Sequence, residues 1–143
     1  MSGTDAPDRY AVVGHPVAHS RSPFIHARFA AATGQRLVYD LIDIPPGEFR
    51  ERVDAFAADG GRGLNVTLPY KFEALDYAET LTDRARDAGA VNTLAWRADG
   101  SVLGDNTDGA GLVLDQAQNL GCAVAGSCVL LLGPGRAARG ALP

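Results

Sequence analysis

The chain has little of what holds small extracellular folds together. It carries two cysteines, Cys122 and Cys128, with one methionine and one tryptophan in 143 residues. Two cysteines do not build a disulfide framework. Their spacing lacks the paired close ligands of a zinc site, and no histidine follows them. Both read as reduced, so the expected setting is cytoplasmic. No apolar run approaches the roughly 18 residues of a membrane span, so no membrane partner is expected. Residues 1–9 are polar and lack a signal-peptide core. Basic charge is also scarce. Thirteen Lys and Arg against seventeen Asp and Glu give a net charge of −4. That balance argues against a nucleic-acid partner or a basic membrane surface, and an anionic ligand must be held by local donors.

What is present is ordinary for a globular protein: 46% hydrophobic and 21% charged residues, in a chain long enough for one domain with a real core. Residues 10–14 read as a short buried strand ending at a glycine. Ser20 or Ser22 then offers a helix N-cap, with Pro23 in the first turn. Phe24, Ile25, Phe29 and the alanines up to Ala32 form the expected inward face of that helix, which Gly34 ends. Residues 37–44 read as a second strand, stopped by Pro45-Pro46. Residues 48–58 read as an amphipathic helix with Phe49, Val53, Phe56 and Ala57 on one face. Residues 63–67 form a third strand, Pro69 begins another helical stretch, and Thr82 or Asp83 caps a short one.

Residues 90–96 and 101–103 flank Asp99-Gly100, a strong hairpin signal. Residues 107–120 read as a helix with Leu112, Leu114 and Ala117 inward, and residues 127–132 as a last strand running into Gly133-Pro134-Gly135. Strand and helix alternate throughout, which predicts an α/β architecture. A boundary is expected near Gly104, dividing the chain into 1–103 and 104–143, the second part opening a further domain.

Three polar clusters stand out. Asn65-Val66-Thr67-Leu68-Pro69-Tyr70-Lys71 places an amide, a hydroxyl and an ammonium within one short stretch at a strand end. Taken singly, Lys71 reads as a surface lysine on the first turn of a helix. Partly buried among Leu68, Pro69, Tyr70 and Phe72, it becomes a group able to accept and donate protons. Asn106-Thr107-Asp108-Gly109 opens a helix. Asp108 there is either a capping carboxylate that complements the helix dipole or a partner for a lysine. Ser20 and Ser22 sit at a helix N-terminus, where capping competes with binding of a carboxylate ligand. Asn65, Thr67 and Asn92 suit either turns or a polyhydroxylated ligand. His15, His19 and His26 have no clustered carboxylates, so no metal is expected, and His26 reads as a packing residue. Trp96 reads as core or hairpin packing. Gly133-Pro134-Gly135-Arg136-Ala137-Ala138 fits a dinucleotide loop after an apolar strand.

Together these stretches resemble the shikimate dehydrogenase family. Val13-Gly14-His15-Pro16-Val17-Ala18-His19-Ser20-Arg21-Ser22-Pro23 is similar to its opening motif, and residues 65–71 to its catalytic-lysine motif. Gly89-Ala90-Val91-Asn92-Thr93 and Gly104-Asp105-Asn106-Thr107-Asp108-Gly109 are similar to two more, in family order and at family-like spacing.

The resemblance implies an N-terminal substrate domain with a mixed sheet, followed by the first elements of a Rossmann domain. It implies NADP-dependent reduction of 3-dehydroshikimate to shikimate, in aromatic amino-acid biosynthesis, by a monomer or homodimer. By position, Ser20 and Ser22 are implied to bind the substrate carboxylate. Asn65, Thr67, Asn92 and Asp108 hold ring hydroxyls, and Lys71 with Asp108 forms the acid/base pair. Gly133, Gly135, Arg136 and Ala137 are implied to meet the cofactor. The two serines favour shikimate over quinate. Family members are roughly twice as long, and Pro134 and Arg136 replace their usual alanine and glycine. These departures imply a truncated chain with negligible hydride transfer of its own; the alternative is a binding domain without redox activity.

Overall fold

The structure is a computed structural model that describes residues 6–122 and 126–130. Strand β1 (Asp8–Gly14) starts two residues before the sequence-based expectation and reaches the expected glycine. Helix α1 (Ser22–Thr33) follows, then β2 (Leu37–Asp43), α2 (Phe49–Ala58) and β3 (Gly61–Val66). The chain continues through α3 (Lys71–Tyr77), β4 (Thr80–Leu81), α4 (Asp83–Ala88), β5 (Thr93–Trp96), β6 (Val102–Asp105) and α5 (Asp108–Gln118). β4 is absent from the sequence reading. Two residues between helices give no alternation to read, and the strand exists only because Thr80 and Leu81 pair with Leu103 and Gly104.

The strands form a mixed sheet in the order β2-β1-β3-β5-β6-β4. β1 lies parallel to both β2 and β3, while β5 runs antiparallel to β3 and to β6. The β5–β6 hairpin turns at the expected Asp99-Gly100. Gly100 takes a φ of 85°, and the Asp99 carboxylate accepts from the Ser101 amide and hydroxyl at 2.9 and 2.6 Å. The sheet continues through Gly104 and Asp105, just past the expected division.

One sheet face carries the core. Ala11, Val13, Leu64, Val66 and Leu94 project from β1, β3 and β5 against Phe49, Val53 and Phe56 of α2 and against Tyr70 and Ala74. The amphipathic reading of α2 holds because its apolar positions recur at helical spacing over a twisted sheet. Tyr70 is buried, and its hydroxyl donates to the Ile44 carbonyl at 2.5 Å. Burial of the ring therefore costs no unpaired hydroxyl. Trp96 packs at the core edge, 6.1 Å from the Phe56 ring.

Two expected apolar faces are corrected. In α1 only Ala30 is buried, while Phe24, Ile25 and Phe29 are exposed. The helix lies along β1 and β2 at the sheet edge, so most of its circumference meets no second layer. Phe24 stacks instead under the guanidinium groups of Arg21 and Arg28. In α5 Leu112, Leu114 and Ala117 are exposed and Gly109 alone is buried. The helix follows the sheet at a corner, and no described element covers its apolar side. The expected last strand is also corrected over its described part. Residues 127–130 are not strand, since none of the described strands pairs with them; residues 131–132 lie outside the described residues.

Candidate active site

The topology brings the polar clusters to one edge of the sheet. β1, β2, β3 and β6 all point the same way, and β5 points back. The C-terminal ends of β1, β3 and β6 and the start of β5 therefore share that edge, the usual location of ligand sites in such sheets. Ser20 and Ser22 follow β1; Asn65, Thr67 and Lys71 end or follow β3; Asn92 precedes β5; and Asp108 follows β6.

Backbone hydrogen bonds tie these loops together. Thr67 N–H donates to Val13 at 2.9 Å, His15 to Leu68 at 3.0 Å, Val91 to Lys71 at 2.9 Å and Asn92 to Asp105 at 2.9 Å. Gly14 makes the first crossing possible. A Cβ there would stand 2.6 Å from the Thr67 methyl and 3.0 Å from the Leu68 carbonyl. Thr67 is thereby held half-buried against β1.

Lys71 and Asp108 meet as an ion pair, Nζ to Oδ2 at 2.5 Å, with side chains 25% and 44% exposed. Lys71 is thus no free surface lysine. Asp108 is not the cap of α5 either. Thr107 occupies that position, and Asp108 is the first helical residue with its carboxylate turned to the lysine. The second carboxylate oxygen accepts from Asn92 Nδ2 at 2.9 Å. Asn92 also donates to the Thr107 hydroxyl at 2.9 Å, and its oxygen accepts from the Thr107 amide at 3.1 Å. Asn106 turns inward, donating to Ala90 O at 3.0 Å and accepting from the Asp108 amide at 3.1 Å.

Neither Ser20 nor Ser22 occupies the N-cap position of α1, although Ser20 Oγ accepts the Ser22 amide at 3.3 Å. The cap position is Arg21, which makes no side-chain cap bond, and the two serine hydroxyls bond each other at 3.0 Å. The loop that carries them is braced from β2. Asp43 pairs with His15 Nδ1 at 2.6 Å and accepts the Val17 amide at 3.0 Å, and the hydrogen bond to His15 holds its carboxyl below the usual range. A comparable brace sits under Asp108. Asp105 takes a bidentate bond from Arg84, the Thr82 hydroxyl at 2.6 Å and the Asn106 amide at 2.7 Å. Chiefly through Arg84, its pKa falls to about 2.

Sequence reasoning missed Tyr39 and Thr93. The Tyr39 hydroxyl donates to Asn65 Oδ1 at 2.6 Å, and Asn65 Nδ2 donates to Thr93 Oγ1 at 3.2 Å. Tyr39 stacks flat on His26 with centroids 4.0 Å apart. Burial raises the tyrosine pKa and lowers that of the histidine. The signal for Tyr39 was the alternation of β2, which puts Leu37, Tyr39 and Leu41 on one face. That for Thr93 was its place beside Asn92. A cavity of about 470 Å³ opens on this face, bordered by Tyr10, His26, Tyr39, Asn65 and Thr93. Lys71 and Asp108 do not border it.

Among the described residues, no three His, Cys, Asp or Glu side chains stand together as a metal site. Gly133, Gly135, Arg136 and Ala137, expected at a cofactor, lie outside the described residues. A lysine–carboxylate pair, two serine hydroxyls and two oriented amides on one sheet edge suit a small polyhydroxylated acid.

Fold and site together define an α/β domain with a mixed sheet and a polar site at the C-terminal edge of its strands. The family model for the shikimate dehydrogenase substrate binding domain matches residues 12–94. The shikimate dehydrogenase (NADP(+)) of Thioalkalivibrio sulfidiphilus is 55% identical over 94% of this chain and 50% of its own length. Among solved structures, an Ael1 enzyme from Pseudomonas putida is 43% identical, with a TM-score of 0.90 over 94% of this chain and 49% of its own. Shikimate 5-dehydrogenase from Thermus thermophilus, solved in complex with shikimate, is 37% identical, with a TM-score of 0.81 over 93% of this chain and 50% of its own. The chain belongs to the shikimate dehydrogenase family, and it spans about half the length of the curated relatives it matches. No helix among the described residues is long and apolar enough to cross a membrane.

Proposed function

We propose that this chain is the substrate-binding part of an NADP-dependent shikimate dehydrogenase, interconverting 3-dehydroshikimate and shikimate. The observation that carries the reading is the Lys71–Asp108 pair at 2.5 Å, set on the same sheet edge as Ser20 and Ser22. The serines donate to the substrate carboxylate. Asn65, Thr67 and Asn92 meet ring hydroxyls, and Asp108 orients the hydroxyl nearest Lys71. As the carbonyl is reduced, negative charge grows on its oxygen, and the Lys71 ammonium stabilises and protonates it. In the reverse direction Lys71 accepts that proton. NADPH supplies the hydride. The name of the Thioalkalivibrio relative supports the choice of cofactor. Residues 104–143 are assigned to the linking helix and the start of the cofactor domain. Catalysis belongs to a protein of the relatives' length, and the 143-residue chain alone is assigned binding with negligible hydride transfer.

Isothermal titration of the chain with shikimate tests this reading. Binding is expected, weakened about tenfold or more by Ser22→Ala, the effect of losing a hydrogen bond to a charged group. Lys71→Met is expected to abolish turnover in a full-length enzyme carrying this domain. No heat of binding at millimolar shikimate would overturn the assignment. Sustained NADPH oxidation by the chain alone would overturn the division of labour.

A further inference from the structure

The loop that carries the serines and the loop that leads to Lys71 meet at one residue, His15. Its amide donates to the Leu68 carbonyl at 3.0 Å. Its ring nitrogen Nδ1 lies 2.6 Å from Oδ1 of Asp43, the last residue of β2. The other Asp43 oxygen, Oδ2, accepts the Val17 amide at 3.0 Å. The Val17 carbonyl in turn accepts the Ser20 amide at 2.9 Å, and Ser20 bonds Ser22 at 3.0 Å. Asp43 is itself fixed by the sheet, opposite Gly14 in the parallel register of β1 and β2. An ionised carboxylate only accepts, so His15 carries a hydrogen on Nδ1. When the ring is neutral, that bond selects the Nδ1–H tautomer.

We propose that His15 and Asp43 are positioning residues that fix the span between the serine pair and Lys71. A ligand held at both ends fits only when the two loops stand at the right separation. One joint sets that separation. The His15 main chain holds the Lys71 loop, and its side chain, through Asp43 and Val17, holds the serine loop. The ion pair adds little to stability, since its side chains are 42% and 44% exposed. Its effect lies in placement. Without the carboxylate the Val17 amide loses its acceptor, and the turn into Ser20 moves to satisfy it. The meaning of the two ends as sites for a substrate carboxylate and a reacting oxygen rests on the function proposed above; the joint itself does not.

The test reads the Ser20 and Ser22 backbone amides and the His15 ring nitrogens by ¹H–¹⁵N NMR on the whole chain. At a pH where the ring is neutral, the hydrogen is expected on Nδ1. Asp43→Ala is expected to shift both serine amides. Asp43→Asn is expected to leave them in place, because the asparagine oxygen still accepts the Val17 amide. Its nitrogen now donates to the ring, so the His15 hydrogen is expected to move to Nε2, a change that general loosening of the fold does not produce. His15→Ala, which keeps the bond between Asp43 and Val17, is also expected to shift the serine amides and serves if Asp43→Ala does not fold. The proposal is overturned if the hydrogen of the unchanged chain sits on Nε2. It is also overturned if the serine amides stay unmoved in Asp43→Ala or, where that variant does not fold, in His15→Ala. With shikimate as ligand, Asp43→Ala is expected to weaken binding about tenfold and Asp43→Asn to restore it. The losses from Asp43→Ala and Ser22→Ala are expected to be less than multiplicative by about threefold or more, since both act through the same contact. Fully multiplicative losses would overturn the positioning role. If shikimate does not bind the unchanged chain, the functional reading fails while the NMR result still decides the joint.

Discussion

Asp105 shows how single residues carry this site from below. Its carboxylate bonds none of the proposed ligand side chains, yet it anchors the turn into Asn106, Thr107 and Asp108 through Arg84, Thr82 and the Asn106 amide. Its folded pKa of about 2 lies below the ~3.9 of an unfolded aspartate. The sign follows from linkage. The carboxylate contributes stability in full above about pH 4, and that contribution is lost as pH falls towards about 2. Asp105→Asn is expected to lower stability at pH 7 by about 1–2 kcal/mol, a modest figure because Arg84 is half exposed. Urea unfolding of both proteins from pH 7 to pH 2 checks this. The gap between them should close across pH 4 to 2, and a gap that stays constant would contradict the assignment.

At the scale of elements, the close approach of β1 to the loop after β3 matters most. Gly14 has no room for a side chain, since the Thr67 methyl and the Leu68 carbonyl occupy that space. Gly14→Ala is expected to push Thr67 and the Lys71 loop outward. Its signature is a loss of shikimate affinity larger than its loss of stability, measured by titration and urea unfolding on the same sample. Helix α2 gives the contrasting case. Phe49 is buried in the core against Tyr70, with rings 5.2 Å apart. Phe49→Ala is expected to cost about 3–5 kcal/mol in unfolding free energy. The exposed faces of α1 and α5 behave otherwise. Phe24→Ser or Leu114→Glu should change stability by no more than about 0.5 kcal/mol, while raising the concentration at which the protein stays in solution.

At the scale of the molecule, one mixed sheet separates two tasks. Its covered face holds the apolar core, and its C-terminal edge holds the proposed ligand groups. The other face, with its cavity of about 470 Å³, is only partly covered by α1. The groups proposed to act on a ligand come from four separate loops. Their mutual placement depends on strand direction, because the antiparallel β5 returns Asn92 to the edge where β3 and β6 end.

Much of this was legible in the order of residues. The apolar run of β1 ending at Gly14, the helical spacing of Phe49, Val53 and Phe56, and the Asp99-Gly100 turn are local patterns. The backbone realises such patterns with little help from distant parts. The four motifs around Ser20, Lys71, Asn92 and Asp108 were legible too, because a site built from loops leaves its chemistry in short stretches. The tertiary structure alone decided the rest. Whether an apolar helix face is buried depends on what lies opposite, and nothing in α1 or α5 itself says that Phe24, Phe29, Leu112 and Leu114 stay exposed. The pair at Thr80 and Leu81 becomes a strand only beside β6. Tyr39 and Thr93 come beside Asn65 only when β2, β1, β3 and β5 assemble in that order in the sheet. Hydrogen bonds between side chains distant in sequence are set by strand order and register, which no local pattern of residues encodes.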